Sequence, residues 1–322
     1  MSERLLTYEP WPYDANQVES YKGEIALDVE AHNAPREGWD IISTPSTICG
    51  IPMYGGRQEE GSFEYKAAYI QAMLEDNPQT AEAILSNRIA GFHGTSSAAL
   101  YSILCEGGLV TAQRAQQENI PLSTGERLVS ERTGQDTISF ADWRATDTLA
   151  HYSQVNAQPL TKETSFDRIL DLEDQHRKRA RFLEMLDISV EEDDAACNLQ
   201  QQIKDAKRDY DYLLQDPDGL EADLMRLNFP MLVGVNVDGL RQNVSQWSLK
   251  QLRQTEAVVM DASSLSAYGE FQVHTSDGKL GFERLPVVAV PWEYTGYAQQ
   301  LFDDFNTNTT VVPLEAILPS NN

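Results

Sequence analysis

Three short segments of the sequence carry side chains that can act on a polar ligand. The first, Gly91-Phe92-His93-Gly94-Thr95, places an imidazole at the end of an apolar run and directly before a glycine. An imidazole can hydrogen-bond a hydroxyl group, and a glycine lets a flat ligand approach the backbone closely. The second segment runs from Ser139 to Tyr152, and the third contains Glu270. A tyrosine can stack on a flat heterocycle, and a carboxylate can stabilise a developing positive charge.

Periodicity predicts an element around each of these residues. His93 lies at the end of a predicted strand, and a helix is predicted over residues 98–104. Ser139-Phe140-Ala141-Asp142 is strand-like and precedes a short helix with Tyr152 on one face. Glu270 opens a strand of alternating apolar residues. Considered one at a time, these residues are better explained by a structural histidine, a core tyrosine and a surface glutamate.

The rest of the chain predicts an α+β fold with a helical segment in its middle. Helices are expected over 66–74 and 81–88, the second capped by Thr80. Apolar runs predict four strands late in the chain, at Met231–Val237, Ala257–Met260, Phe271–Val273 and Leu285–Val290. Residues 163–227 are rich in charged side chains and carry two apolar stripes at helical spacing. The stripes are Phe166, Leu170, Phe182, Leu183 and Leu186, and then Leu199, Ile203, Ala206, Tyr210 and Leu214.

The charge of the chain argues against several classes of partner. The 322 residues include 25 Lys and Arg against 50 Asp and Glu, a net charge of −25. Such a chain repels phosphate backbones and anionic membrane surfaces, so no nucleic-acid or membrane partner is expected, whereas a basic protein would be attracted. Three widely separated cysteines and an N-terminus with no signal-peptide pattern favour a reducing compartment, so we expect a cytoplasmic protein.

Motifs for other chemistries are absent from the sequence. No Gly-x-Gly-x-x-Gly follows a strand, and there is no P-loop, no His-Glu-x-x-His, no Cys-x-x-Cys and no Gly-x-Ser-x-Gly. The acidic run Glu191-Glu192-Asp193-Asp194 is typical of a solvated loop between helices. No metal cofactor is therefore expected.

Together and in this order, the three segments resemble the His–Tyr–Glu class of ADP-ribosyltransferases, the diphtheria-toxin and poly(ADP-ribose) polymerase kind. That family has His-Gly-Thr or His-Gly-Ser before a helix that ends in Ile-Leu…Gly-Leu, as in His93-Gly94-Thr95 and the segment 103–109. Its strand leading to a helical Tyr matches Ser139–Tyr152, and its late Glu matches Glu270. Two positions differ, since Ser139 stands where the family often has a second Tyr, and Tyr268 stands where arginine-modifying relatives have Glu.

The resemblance implies a split β core that binds NAD, formed by residues 90–162 and 228–322. Residues 1–89 would then be an N-terminal extension, and 163–227 a helical insertion lobe that recognises a target or only covers the core. The implied activity is NAD-dependent mono-ADP-ribosylation of a protein target. Such an acidic transferase fits an effector or toxin delivered into another cell, and equally a resident regulator.

The resemblance also implies a role for each site residue. His93 would bind a ribose hydroxyl, Gly94 would hold the nicotinamide amide by its backbone, and Tyr152 would stack on the nicotinamide ring. Glu270 would bind the 2′-hydroxyl of the nicotinamide ribose and act, with His93 and Tyr152, as the catalytic set. The implied cofactor-binding residues are His93, Gly94, Thr95, Ser139 and Tyr152.

Three other functions are alternatives to protein ADP-ribosylation. An NAD glycohydrolase would use the same pocket with water as the acceptor. An inactive interaction module on the same fold would bind a partner without chemistry. A tRNA 2′-phosphotransferase shares part of the His-Gly-Thr pattern, but the net charge of −25 and the Tyr–Glu pair argue against it.

Overall fold

The structure is a computed structural model of the 322-residue chain, and most of the chain is described. The described residues are 12–33, 47–53, 62–118, 137–141, 161–215, 218–243, 257–261 and 270–317.

A helix begins the described chain, further helices alternate with the strands, and two long helices form a hairpin in its middle. The α-helices are α1 (Ala15–Asn33), α2 (Ser62–Asp76), α3 (Pro78–Ser86), α4 (Leu100–Glu106), α5 (Ala112–Glu118), α6 (Lys162–Met185), α7 (Asp194–Gln215), α8 (Leu220–Leu227) and α9 (Thr295–Asp304). The two predicted helices are confirmed, and Asn77 separates them, since α2 ends at Asp76 and α3 begins at Pro78. Thr80 was wrongly expected to cap the second helix. Proline at the first helical position moves the cap to Asn77, and Thr80 is buried inside the first turn.

Eight of the described strands form one mixed sheet. The strands are β1 (Thr47–Ile48), β2 (Ile51–Pro52), β3 (Ile89–Ser96), β4 (Gly108–Val110), β5 (Thr137–Ala141), β6 (Pro230–Asn236), β7 (Arg241–Asn243), β8 (Ala257–Asp261), β9 (Glu270–Thr275), β10 (Lys279–Gly281), β11 (Val287–Val290) and β12 (Thr310–Pro313). The sheet order is β12-β11-β6-β3-β5-β9-β8-β7, with β11/β12 and β7/β8 parallel and the other pairs antiparallel. The chain is thus a mixed α and β structure, and the four predicted late strands are confirmed as β6, β8, β9 and β11.

The main apolar core lies on the sheet and extends into the N-terminal helices. Val233, Val288 and Phe92 in the sheet belong to the same buried cluster as Ile25 of α1 and Ile70 of α2. Burial of this kind of side chain stabilises a fold by about 1.5–3 kcal/mol each. Helices α1 to α3 therefore share the core of the sheet. No helix in the described ranges is both long and apolar enough to cross a membrane.

The hairpin of α6 and α7 buries a different stripe of α6 from the one that apolar spacing predicts. Phe166, Leu170, Phe182 and Leu186 are all exposed, and among the predicted residues of the first stripe Leu183 is buried. The buried or half-buried positions follow the alternating 4-3 spacing of a helix–helix seam. The residues with this spacing are Ser165, Ile169, Leu172, His176, Arg179 and Leu183, and the half-buried Arg168, Glu173, Asp174 and Ala180 lie beside them. Three polar residues occupy this seam, so a search for apolar residues alone selects the wrong face.

The predicted stripe of α7 is confirmed except at its end. Leu199, Ile203, Ala206 and Tyr210 pack against α6 residues in one small cluster. Leu214 is exposed, and Leu213 is buried in its place. The heptad spacing from Tyr210 reaches residue 213 rather than 214, which explains the difference.

Candidate functional site

Strand β3 pairs very differently with its two neighbours. Its pairing with β6 extends from Ile89 to Ser96, whereas among the described residues its ladder with β5 has one residue pair, Phe92 with Ala141. If that register continued, Gly94 would face Ser139, but these two residues do not pair. The sheet is therefore joined at the Phe92–Ala141 row and opens between β3 and β5 beyond it.

The His93 side chain bridges this opening. Its Nδ1 lies 2.9 Å from the Ser139 carbonyl oxygen, so Nδ1 carries the proton and donates to that oxygen. Its ring also meets the Phe140 ring edge-on at 5.9 Å between centroids, and 6% of the residue is exposed. In the neutral ring, Nε2 then carries the lone pair and can accept a hydrogen bond from a hydroxyl.

Glu270 enters the same region through the register of β9. As the first residue of β9 it pairs with Ala141, which pairs with Phe92, so its row is that of Phe92 and Gly94, whereas His93 contacts Phe140 on the other face. Neighbouring strands lie about 4.8 Å apart, so the β9 backbone at Glu270 is about 10 Å from β3. The structure describes only the backbone of Glu270.

The structure assembles part of the predicted residue set. His93 and Ser139 are in hydrogen-bond contact, and Gly94 and Ser139 are half-buried at the opening between their strands. Thr95, one residue further along β3, is 4% exposed and pairs with Met231 of β6. Tyr152 lies outside the described residues, so its predicted stacking role stays a prediction.

A polar row on β5 and β9 was missed by the sequence analysis. Cross-strand pairs in a sheet point to the same face, and Ser139 pairs with Gln272 while Thr137 pairs with His274. Gln272 and His274 are each 6% exposed, and Thr137 is 8% exposed. The Thr137 hydroxyl donates to Gln272 Oε1 at 3.4 Å, and Gln272 Nε2 donates to Ser139 Oγ at 3.5 Å.

The alternation of Glu270, Gln272 and His274 was visible in the sequence as polar residues at every second position. That pattern normally indicates the solvent face of an antiparallel strand, which is why it attracted no functional interpretation. Gln272 and His274 are buried, however, so they do not form a solvent face. Buried side chains with hydrogen-bonding capacity are rarely left without partners.

The opposite face of the same two strands is apolar and tightly packed. Phe140 of β5 stacks on Phe271 of β9, with 5.6 Å between ring centroids and 19° between ring planes. Gly91 lies against this pair, since a Cβ on it would come within 2.6 Å of the Phe271 ring. This packing holds β5 and β9 in a fixed position behind the polar row.

The residues that position the loop after β3 are also well defined. Helix α4 ends at Gly107, which adopts the left-handed conformation at φ 71°. Gly108 follows with φ 152° in β4, where a Cβ would lie 2.1 Å from the Leu280 carbonyl of β10. The predicted glycine-terminated helix after His93 is confirmed, and the close β4–β10 approach explains the second glycine.

No group of three or more His, Cys, Asp or Glu side chains suited to a metal ion occurs within the described part of the chain. Comparison with protein-family models, with curated proteins and with solved structures gives no match for this chain.

Proposed function

We propose that the chain binds NAD at the opening between β3 and β5 and transfers its ADP-ribose unit to a protein target. The observation that supports this most directly is the His93 imidazole, which bonds across the opening to the Ser139 carbonyl. That bond orients the ring and directs Nε2, as a hydrogen-bond acceptor, away from Ser139. Gly94 is the next residue of β3 after His93, and its lack of a Cβ permits a flat ligand to approach the backbone closely.

The register of the sheet supports a role for Glu270 in the same reaction. Departure of nicotinamide from the ribose leaves a centre of oxocarbenium character at the anomeric carbon. A carboxylate beside that centre lowers its energy, as carboxylates do in glycoside hydrolysis. Glu270 begins β9 in the row that joins β9 and β5 to β3, and Gly94 lies two residues after Phe92 of that row, so Glu270 is next to the opening where we propose that the ligand binds.

The reaction balances without a redox partner. The bond between the ribose anomeric carbon and the nicotinamide nitrogen breaks, and its electron pair leaves with a neutral nicotinamide. A nucleophilic side chain of the target then bonds to the anomeric carbon and releases one proton. The acidic character of the chain, at net charge −25, favours a target with a basic surface.

The test measures nicotinamide release from NAD by the purified protein, with and without a cell lysate as the source of target. Wild type is expected to release nicotinamide, and Glu270→Gln is expected to lower the rate by at least about 100-fold, a loss typical of removing one group that stabilises charge in a transition state. Glu293→Gln is the matched control, because Glu293 is exposed beside β11, four strands from β9 in the sheet order. Equal rates for the wild type and Glu270→Gln would contradict the proposal.

The same assay separates the other functions. Release that needs no lysate and leaves no labelled protein indicates an NAD glycohydrolase. Absence of both release and NAD binding indicates an interaction module without chemistry. Mass spectrometry of labelled lysate would identify the modified protein and the acceptor side chain together.

A further inference from the structure

The buried polar row of β5 and β9 satisfies only part of its own hydrogen-bonding capacity. Gln272 makes contacts at 3.4 Å and 3.5 Å with Thr137 and Ser139, longer than the usual 2.7–3.0 Å of such hydrogen bonds. The amide is therefore held loosely at both ends. Loose contacts of this kind can shorten or re-form when another polar group arrives.

His274 is the most under-satisfied member of the row. Both of its ring nitrogens are buried, and neither has a hydrogen-bond partner in the described structure. Its cross-strand neighbours are Thr137, whose hydroxyl donates to Gln272, and Val258, a residue type with no polar side-chain atom. A buried donor and a buried acceptor without partners are costly to the folded state, so such a group calls for a partner from outside the described residues.

The placement of His274 relates it to the candidate site. Glu270, Gln272 and His274 occupy alternate positions of β9, opposite Ala141, Ser139 and Thr137 of β5. Successive residues of a strand rise by about 3.4 Å, so His274 lies about 14 Å along β9 from Glu270. An extended dinucleotide is long enough to cover that distance.

We propose that the row continues the ligand site along β5 and β9, and that His274 hydrogen-bonds a sugar hydroxyl of the bound dinucleotide. A neutral imidazole offers one donor and one acceptor, and a hydroxyl is the ligand group that pairs with either. This inference rests on the proposed NAD site. It adds to that site a sugar-binding residue that takes no part in bond cleavage.

The experiment measures ligand affinity and thermal stability on the same variants of the full chain. His274→Leu is expected to weaken ADP-ribose binding by about tenfold, because a hydrogen bond to the sugar is lost. The same variant is expected to raise the melting temperature of the unliganded protein by about 2 °C, because two unsatisfied buried groups are removed. His274→Gln keeps a donor and an acceptor, so it should bind ADP-ribose better than His274→Leu does.

His176→Leu is the matched control. His176 lies in the α6 seam and also has a buried Nε2 without a partner among the described residues. The control substitution should leave ADP-ribose affinity unchanged. A purely structural role for His274, in contrast, would give the reverse pattern, with lower stability and unaltered affinity, and that result would overturn the inference.

The outcomes also separate this inference from the proposed function. If His274→Leu weakens ADP-ribose binding while Glu270→Gln still releases nicotinamide at the wild-type rate, the sugar contact stands and the proposed catalysis fails. If wild type releases nicotinamide and His274→Leu binds ADP-ribose with wild-type affinity, the proposed catalysis stands and the sugar contact fails. If wild type binds neither NAD nor ADP-ribose, both fail. If His274→Leu does not fold, hydrogen exchange of the wild type is measured with and without ADP-ribose. The inference predicts that ADP-ribose protects the amides of β9 from exchange. Absence of that protection would overturn the proposed contact between His274 and the sugar.

Discussion

A Gly91→Ala substitution is expected to force apart the row where β3 meets β5. A Cβ on residue 91 would lie 2.5 Å from the Ala141 carbonyl oxygen and 2.6 Å from the Phe271 ring. Ordinary van der Waals contact begins at 3.4 Å, so the carbonyl contact requires a shift of about 3.4 − 2.5 = 0.9 Å. One obstacle is backbone and the other is a ring stacked on Phe140, so neither moves easily. Overpacking of this kind costs about 1–3 kcal/mol.

Thermal unfolding followed by circular dichroism measures this cost. At about 2 kcal/mol, the melting temperature of Gly91→Ala should fall by about 3 °C. Gly23→Ala is the matched control. Gly23 lies within α1, and nothing is found within 4 Å of its added Cβ, so alanine should stabilise that helix by about 0.5–1 kcal/mol.

The same substitution should also affect ligand binding. The Phe92–Ala141 pair is the described backbone pairing between the His93 strand and the strands that carry Ser139 and Glu270. Moving it should weaken NAD binding as well as stability. A Gly91→Ala protein that melts at or above the wild-type temperature would refute the packing reasoning.

Two further predictions concern residues outside the site. Burial raises the pKa of the Cys49 thiol to about 12. At pH 8, iodoacetamide should therefore label the exposed Cys105 and Cys197, and should label Cys49 only after the chain is unfolded. Mass spectrometry of the labelled protein checks this, and equal labelling of all three cysteines in the folded protein would contradict it. The hydrogen-bonded Arg179 guanidinium lowers the pKa of the Asp193 carboxyl below its usual range. The ion pair therefore stabilises the hairpin fully when the pH is above the usual pKa of an aspartate. This stabilisation is lost as the pH falls through the lowered pKa of Asp193. Hydrogen exchange of α6 and α7 during an acid titration should show that loss, and Arg179→Met should reduce the part that depends on Asp193.

Much of the local structure could be predicted from the sequence because it depends on short-range patterns. The apolar alternation of β9 and the apolar runs of β6 and β11 predict strands from the local sequence alone. Asp76-Asn77-Pro78 breaks the helices because proline lacks the amide hydrogen of a helix interior. The glycine after Glu106 ends α4 for a comparable reason, since the backbone there needs a positive φ.

The candidate site was only partly accessible in this way. His93 could be singled out from its glycine and the helix that follows, but its partner, the Ser139 carbonyl, is a backbone atom 46 residues away. A sequence pattern contains no information about such a long-range backbone contact. The order of strands that brings β9 beside β5, and β5 beside β3, arises only when the whole sheet forms.

The sequence by itself determined which residues share a face of each element, since that follows from the helical or strand repeat. Only the tertiary structure decided what each face packs against. The row ending in Gln272 and His274 reads as a solvent face and is buried, whereas the stripe with Phe166 and Leu170 reads as core and is exposed. The physical reason is that burial depends on the elements that cover a face, and those come from distant parts of the chain.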